Sequence, residues 1–149
     1  MPPVDLLVRL LLAAGLGAAM GVERELRAKA AGLRTNMLIA LGSAMFTIVS
    51  IEVARAGGTP DRIAAQIVTG IGFLGAGSIL RSGRSIHGMT TAATIWVNAS
   101  VGMAAGAGLY TVAIVGTIIA LIVLALLPYL EERLDRFAGV TNSRRVGDR

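Results

Sequence analysis

Residues 62–80 read Arg-Ile-Ala-Ala-Gln-Ile-Val-Thr-Gly-Ile-Gly-Phe-Leu-Gly-Ala-Gly-Ser-Ile-Leu, and the interpretation of the whole chain depends on this stretch. From Ile63 to Leu80 the sequence carries no charge over 18 residues. As a helix, this segment is about 27 Å long, close to the hydrocarbon thickness of a bilayer, which is about 30 Å. We therefore predict that residues 62–80 form the central helix of a membrane bundle.

Four glycines lie within eight residues of this helix: Gly70, Gly72, Gly75 and Gly77. Glycine destabilises a helix by about 1 kcal/mol relative to alanine, so this density needs a reason. At about 100° per residue, Gly70 and Gly77 lie on one side, and Gly72 and Gly75 lie nearly opposite. Small residues on two sides let other helices approach closely from two directions, and we predict this packing role for the four glycines.

The same glycines match the dinucleotide-binding pattern Gly-x-Gly-x-x-Gly. That pattern needs a preceding strand and an acidic residue about 20 positions later. Thr90 stands 20 positions after Gly70, so we favour helix packing over nucleotide binding. A kink or break in the helix, which would expose backbone carbonyls to a solute, is the third interpretation.

The composition is typical of membrane proteins. Of the 149 residues, 54% are hydrophobic and 15% are charged, and this length leaves little room for a second domain. The chain has no cysteine, which excludes disulfides and thiolate metal sites, and its single His87 excludes a histidine cluster. We expect neither a metal nor another cofactor. We also predict that the chain is not an enzyme, because the apolar segments contain no paired carboxylates or activated nucleophile.

Five apolar segments predict an all-α polytopic membrane protein with about five transmembrane helices. They are Val4–Val22, Met37–Val53, residues 62–80, Thr90–Gly106 and Leu109–Leu127. We interpret the first as a span and not as a cleaved leader, because it extends beyond a short leader core. Pro128 is predicted to end or kink the fifth helix. We divide the chain into a transmembrane domain over 1–130 and a part over 131–149 that holds an amphipathic helix and a basic disordered tail.

Opposite charges four residues apart indicate how far the first helix extends. The pairs are Asp5 with Arg9, Glu23 with Arg27, and Glu25 with Lys29. The last two pairs follow the apolar segment, so we predict that the helix continues out of the membrane until Gly32. Within the segment, Gly17 and Gly21 form a small-x-x-x-small pair, which favours close helix packing.

Short polar residues mark the beginnings of the next two helices. Thr35 or Asn36 is predicted to cap the second helix by accepting a hydrogen bond from its first N–H groups. The run Thr59-Pro-Asp61, with a cap followed by proline at the first helical position, predicts the start of the third. Residues 81–88 are predicted to form a short polar loop.

The fourth apolar segment has one polar face. On a helical wheel this face spans about 100° and consists of Thr90, Thr91, Thr94 and Asn98. Trp96 lies on the opposite side. Hydroxyl and amide groups on one face of a membrane helix usually bond to neighbouring helices. A path for a polar solute along this stripe is the alternative that we keep open.

The basic residues predict the orientation in the membrane. With five spans and the N-terminus outside, eleven basic residues lie on the cytoplasmic side and three lie outside. The positive-inside rule therefore predicts N-out and C-in. A basic cytoplasmic rim that faces anionic lipid also accounts for the net charge of +5, so we do not infer nucleic-acid binding.

Several longer motifs match a known family. They are Gly21-Val-Glu-Arg-Glu25, Ala31-Gly-Leu-Arg-Thr35, Leu41-Gly-Ser43, the run from Asp61 to Arg81, Gly88-Met-Thr-Thr-Ala-Ala-Thr-Ile-Trp96 and Gly102-Met-Ala-Ala-Gly-Ala-Gly108. In these motifs the chain resembles the MgtC/SapB family of bacterial inner-membrane proteins. The positions that match the family are Glu23, Arg24, Arg34, Thr35, Asp61, Arg62, Gln66, Gly70, Gly72, Gly75, Gly77, Arg81, Thr90, Thr91 and Trp96. Together with Thr94 and Asn98 of the polar face, they are the candidate functional residues.

The resemblance implies a multi-pass protein of the bacterial cytoplasmic membrane that is not an established enzyme. The family is associated with growth in low magnesium, with virulence and with survival inside macrophages. Some members act by binding other membrane proteins, including the proton-translocating ATP synthase. Larger members carry a soluble C-terminal domain, so the resemblance implies a short member without it.

Two functions follow from these observations. A non-enzymatic regulator would contact itself or a membrane partner through the glycine helix, and we expect a homo-oligomer because a monomer with so many small residues buries little surface. A carrier or channel for Mg²⁺, a monovalent cation or a small solute would use Asp61, Gln66 and Asn98, because polar groups inside a membrane often mark pathways. An intramembrane enzyme is the hypothesis that we favour least.

Overall fold

The computed structural model describes residues 1–59, 62–82 and 85–137. Five helices account for most of them: α1 (Pro3–Leu26), α2 (Leu33–Arg55), α3 (Arg62–Gly77), α4 (Met89–Gly106) and α5 (Tyr110–Phe137). The prediction of an all-α fold is confirmed. The predicted polar loop over residues 81–88 instead contains part of a small antiparallel pair of strands, in which β1 (Leu80–Ser82) pairs with β2 (Ser85–His87).

In the part of the chain that the structure describes, three helical segments are long and apolar enough to cross a membrane: Pro3–Leu26, Leu33–Arg55 and Tyr110–Leu130. α3 is shorter than predicted, because it ends at Gly77 after 16 residues and not at Leu80. The N–H groups of Ser78 and Ile79 bond to carbonyls three residues back, and this tighter turn closes the helix. Since α3 is continuous from Arg62, its glycines follow no strand and no break, which contradicts the dinucleotide and broken-helix interpretations.

α4 is the central helix of the bundle, and α3 lies at its edge. α4 packs against all four other helices, whereas α3 packs mainly against α2 and α4. The prediction that residues 62–80 form the central helix is therefore wrong. The middle of the bundle is instead built on α4 with α1, α2 and α5, whose small side chains allow close packing: Ala13, Ala44, Val101, Ala105 and Ala113.

A glycine pair on α1 sets its distance from α2. A methyl group added at Gly17 would lie 2.9 Å from Ala40 Cβ, and one added at Gly21 would lie 2.6 Å from Leu33 Cα. Neither position has room for a side chain. The packing role that the small-x-x-x-small spacing of Gly17 and Gly21 predicts is confirmed.

A second glycine pair joins α4 to α2. Gly102 lies directly against the backbone of Ala40, and Gly106 lies against Ala44, where an added methyl group would be 2.8 Å from the Ala44 Cα. Each residue of α2 in this contact faces the residue of α4 that lies 62 positions later in the chain. These pairs follow one another along both helices in the same order. The two helices run parallel, in a fixed alignment.

The glycines of α3 have a different environment. A methyl group added at Gly70, Gly72 or Gly77 would meet nothing within 4 Å. Gly75 alone among the four faces another helix, with Ala92 Cβ of α4 3.7 Å from the added group. Because the last turn of α3 lies beside the first turn of α4, the two helices are antiparallel, and α3 is antiparallel to α2 as well.

α1 ends earlier than predicted. Its last helical residue is Leu26, and the next turn contains two non-glycine residues with left-handed backbone, Ala28 at φ 52° and Ala31 at φ 58°. The Lys29 N–H donates to the Arg24 carbonyl at 2.9 Å and closes the helix end. The predicted continuation to Gly32 is therefore wrong, and Lys29 lies outside the helix.

The start of α2 is capped by α1. Glu25 Oε2 accepts a hydrogen bond of 2.8 Å from the Leu33 N–H, the first of the new helix. Thr35 and Asn36 lie inside α2, so their prediction as caps is wrong. A carboxylate at a helix N-terminus satisfies a backbone donor and complements the helix dipole.

Polar contacts fasten α1 to the α4–α5 turn. The predicted pair of Asp5 and Arg9 is present, with Arg9 Nη2 2.9 Å from Asp5 Oδ2. Arg9 also donates to the carbonyl of Gly106 at 2.7 Å, and the Tyr110 hydroxyl donates to Asp5 Oδ1 at 2.9 Å. The last turn of α4 and the first turn of α5 are thereby held to α1.

α5 continues through Pro128 without a break and ends at Phe137, the last described residue. Proline removes a backbone N–H and disturbs the carbonyls of the preceding turn. Arg27 donates to one of these carbonyls, that of Ala125, at 3.0 Å and lies 5.6 Å from the ring centre of Tyr129. The division at residue 130 stays a prediction, and the predicted tail from residue 138 lies outside the described residues.

Candidate functional site

A buried arginine lies near the end of α1. Arg24 is 4% exposed, although it follows directly on the apolar part of the helix. One of its guanidinium nitrogens donates to Thr91 Oγ1 of α4 at 2.6 Å and, more weakly, to the carbonyl of Ala30 at 3.4 Å. The charge of Arg24 is thus directed into the contact between α1, α4 and the α1–α2 turn.

Two fully buried asparagines extend this polar region. Asn98 Nδ2 of α4 donates to the Asn36 carbonyl of α2 at 2.6 Å. The side-chain amide of Asn36 donates to the carbonyls of Ala31 and Gly32, the latter at 3.0 Å. Both side-chain oxygens, Asn36 Oδ1 and Asn98 Oδ1, are buried and accept no hydrogen bond from the described part of the chain.

We call Arg24, Asn36, Thr91 and Asn98 the polar cluster. Its members come from three helices, so it forms only when α1, α2 and α4 are packed correctly. Guanidinium, amide and hydroxyl groups bind and orient polar partners, and the single formal charge is positive. Buried acceptors without a partner favour a bound water molecule or a polar ligand.

The polar face predicted on α4 is oriented as expected. Thr91, Thr94 and Asn98 are buried, and Trp96 on the opposite side is 52% exposed. Thr91 and Asn98 bond to neighbouring helices, but the Thr94 hydroxyl donates to the Thr90 carbonyl of its own helix at 2.8 Å. Thr90 is exposed.

The remaining candidate residues lie outside the polar cluster. Glu23 forms the predicted ion pair with Arg27, with Oε1 2.6 Å from Nε. Four others line a cavity of about 710 Å³ between α2 and α3: Arg34, Thr35, Gln66 and Gly70. Arg62, Gly72, Gly77 and Arg81 are exposed, and Gly75 is buried against α4. Asp61 lies outside the described residues.

Sequence reasoning missed Asn36 as a member of the site. The sequence predicts a capping role for it because it follows a turn, whereas its burial depends on α4, which lies beside it. The spacing of 62 residues that joins Asn36 to Asn98 could not be read from either segment alone.

Long apolar helices, glycine-mediated contacts and a buried polar cluster are together the features of an α-helical membrane protein. The sequence profile of the MgtC family matches residues 10–133, and the chain belongs to this family.

Three relatives illustrate the similarity. The chain is 47% identical over 137 residues to a protein of Escherichia coli K12 named "Putative magnesium transporter YhiD". It is 45% identical over 130 residues to "Protein MgtC" of Salmonella typhimurium LT2. It is also 47% identical over 116 residues to "Uncharacterized protein slr0014" of Synechocystis.

These matches cover 87%, 87% and 78% of this chain, but 64%, 55% and 49% of the three relatives. The chain thus spans between about half and two thirds of the length of the relatives that it matches. No solved structure matches it.

Proposed function

We propose that this chain is a multi-pass protein of the bacterial cytoplasmic membrane that acts as a non-enzymatic regulator in adaptation to low magnesium or host stress. It acts through helix–helix contacts with itself or with another membrane protein, such as the ATP synthase to which the resemblance points. Membership of the MgtC family supports the link to magnesium.

The main support for the proposal is that the outer face of α3 presents exposed small residues that no other helix of the described chain covers. Four small residues share one stripe of this helix, within about 60° on a helical wheel, and all four are exposed: Ala65, Thr69, Gly72 and Ala76. Phe73 beside them is 81% exposed. Small residues at such spacing let a second membrane helix approach closely, and a large neighbouring ring adds contact area.

The experiment is site-specific cross-linking in native membranes with Gly72→Leu and Ala76→Leu. Both positions are exposed, so bulk added there leaves the internal packing intact and removes close contacts with a partner. Gly116→Leu on α5 is the matched control, because its added methyl group also meets nothing within 4 Å. Gly75→Leu is unsuitable, since this glycine faces Ala92 within the chain.

We expect cross-linked species to disappear in the two α3 variants and to persist in the control. Cross-linking that survives Gly72→Leu together with Ala76→Leu would refute the proposal that α3 is the contact helix.

The proposal includes five passes with N-out and C-in. Because the chain contains no cysteine, single cysteines report topology directly. A cysteine at Lys29 should react with a membrane-impermeant maleimide only from the cytoplasmic side, and one at Ala56 only from the outside. The reverse pattern would contradict the orientation.

Magnesium transport is the second candidate. The name of the E. coli relative supports it, and so do the buried side-chain oxygens of Asn36 and Asn98. Mg²⁺ prefers about six oxygen ligands, several of them water. The buried positive charge of Arg24 in the same cluster opposes a cation, and for this reason we place transport second.

Flux of Mg²⁺ into proteoliposomes separates the two candidates. Regulation without transport predicts uptake equal to that of empty vesicles for both the wild type and Asn98→Leu. Uptake by the wild type that is lost in Asn98→Leu and kept in Gly116→Leu would establish transport and assign the path to the polar cluster.

A further inference from the structure

A groove runs between α2 and α3 on the surface of the bundle. Its volume of about 710 Å³ falls in the range of about 300–1,000 Å³ of ligand sites, and Ile95 of α4 contributes to its lining. Gly42 of α2 and Gly70 of α3 both line it, and a methyl group added at either would meet nothing within 4 Å. The missing side chains of these two glycines therefore create much of the space.

The length of the groove matches one leaflet of a bilayer. The lining residues of α2 extend from Arg34 to Phe46, and over this distance the helix rises by about 18 Å. The hydrocarbon of one leaflet is about 15 Å deep, half of a core of about 30 Å. Since α2 and α3 are antiparallel, the groove follows the direction in which a lipid tail extends.

The walls of the groove are suited to hydrocarbon. Leu38, Phe46 and Leu74 line it and are each more than half exposed. Ile67 and Ile71 lie deeper and are buried. An acyl chain in the groove would contact these apolar side chains, and its attraction would come from van der Waals packing and not from removal of surface from water.

The polar ends of the groove differ in charge. Arg34 and Thr35 lie in the first turn of α2, at one end of the groove, while the N-terminal N–H of this helix is bonded to the carboxylate of Glu25. Arg34 is exposed, and no carboxylate of residues 1–59, 62–81 or 86–130 forms an ion pair with it. Gln66, on the part of α3 nearer its start, is neutral. The lining of the groove is therefore apolar along its length and carries one charged group, the guanidinium of Arg34, at one end.

We propose that this groove binds an anionic phospholipid, with one acyl chain between α2 and α3 and the phosphate at Arg34 and Thr35. This site is separate from the outer face of α3 and from the polar cluster. It goes beyond the proposed function, because a lipid held there would fix the position of α3 at the edge of the bundle.

The test uses the full chain in nanodiscs that contain phosphatidylglycerol with a photoreactive diazirine in the middle of one acyl chain. After irradiation, peptides are mapped by mass spectrometry. We expect labelling to concentrate on residues 38–46 and 67–74. Unlabelled phosphatidylglycerol should compete about fivefold better than phosphatidylcholine, the ratio that corresponds to about 1 kcal/mol per basic residue.

Two variants address the two parts of the site. Gly42→Leu with Gly70→Leu fills the groove and should reduce the labelling of both segments to the level on the lipid-facing side of α5. Arg34→Gln keeps the groove but should remove the preference for phosphatidylglycerol. Gly116→Leu, whose added bulk lies on α5, should label as the wild type does.

Labelling spread evenly around the bundle, or equal competition by both lipids against the wild type, would overturn the proposal. These two results need no variant, so they hold even if the filled groove prevents folding. Protein–protein cross-links from the groove to a second copy, in place of lipid labelling, would overturn it in favour of a dimer contact.

Discussion

Substitution of Gly102 by alanine is expected to push α2 and α4 apart. The added methyl carbon would lie 2.8 Å from the Ala40 Cα and 2.9 Å from its carbonyl carbon. Carbon atoms pack best at about 3.5–4.0 Å, so the helices must separate locally by about 0.6–1.2 Å. The partner atoms are backbone, and rotamer changes cannot relieve the contact.

Moving α2 and α4 apart at Gly102 also lengthens a hydrogen bond between them, which lies one helical turn earlier at Asn98. The hydrogen bond from Asn98 Nδ2 to the Asn36 carbonyl is 2.6 Å long, and the same displacement stretches it to about 3.2–3.8 Å, at or beyond the useful limit. Overpacking costs about 1–3 kcal/mol, and a lost hydrogen bond adds about 0.5–1.5 kcal/mol. We therefore expect Gly102→Ala to lower the free energy of unfolding by about 2–4 kcal/mol.

The assay is denaturant unfolding of the purified chain in micelles, followed by helical circular dichroism. Gly15→Ala and Gly116→Ala are the controls, because an added methyl group meets nothing within 4 Å at either position. In these controls alanine is expected to stabilise the helix by up to about 1 kcal/mol. If Gly102→Ala unfolds at the same denaturant concentration as the controls, the close contact between α2 and α4 is wrong.

Three further substitutions test other parts of the structure by the same unfolding assay. Thr91→Val removes the hydroxyl that accepts from buried Arg24 and should cost about 1–3 kcal/mol; an equal loss in exposed Thr90→Val would contradict a specific role. Gly88→Ala places a methyl group against backbone at φ 88° and should cost more than about 1–2 kcal/mol, the penalty of the left-handed conformation alone; a neutral result would refute the turn before α4. Ala28→Gly relieves a φ of 52° and should stabilise the chain by up to about 1 kcal/mol, whereas destabilisation would show that this residue is not left-handed.

The sequence predicted where the helices lie along the chain better than it predicted which helices contact each other. Apolar length and the residue pattern located the five helices of the described residues, and opposite charges at a spacing of four identified the Asp5–Arg9 and Glu23–Arg27 pairs. These features depend on residues within one or two turns of each other. Their physical causes are local, so a single segment contains enough information.

The arrangement of the glycines could not be predicted in the same way. The dense glycines of α3 suggested a central helix, yet Gly72 has open space around it while Gly102 touches the backbone of α2. A glycine permits a close approach, but which helix approaches depends on the packing of the whole bundle. The burial of Arg24 and Asn36 has the same origin, because each is covered by residues of α4 that lie more than 60 positions away.

In the parallel contact of α2 with α4, different residues determine the distance between the helices and their relative position along the helix axis. Alanine and glycine repeat every four residues along it, so sliding by four residues, about 6 Å, would bring Ala40 against Gly106 and keep one alanine–glycine contact. Such a slide would carry Asn98 away from the Asn36 carbonyl and leave its buried amide unsatisfied, at a cost of about 1–3 kcal/mol. The small residues thus determine how near the two helices come, and the asparagine amide favours the observed position along their length.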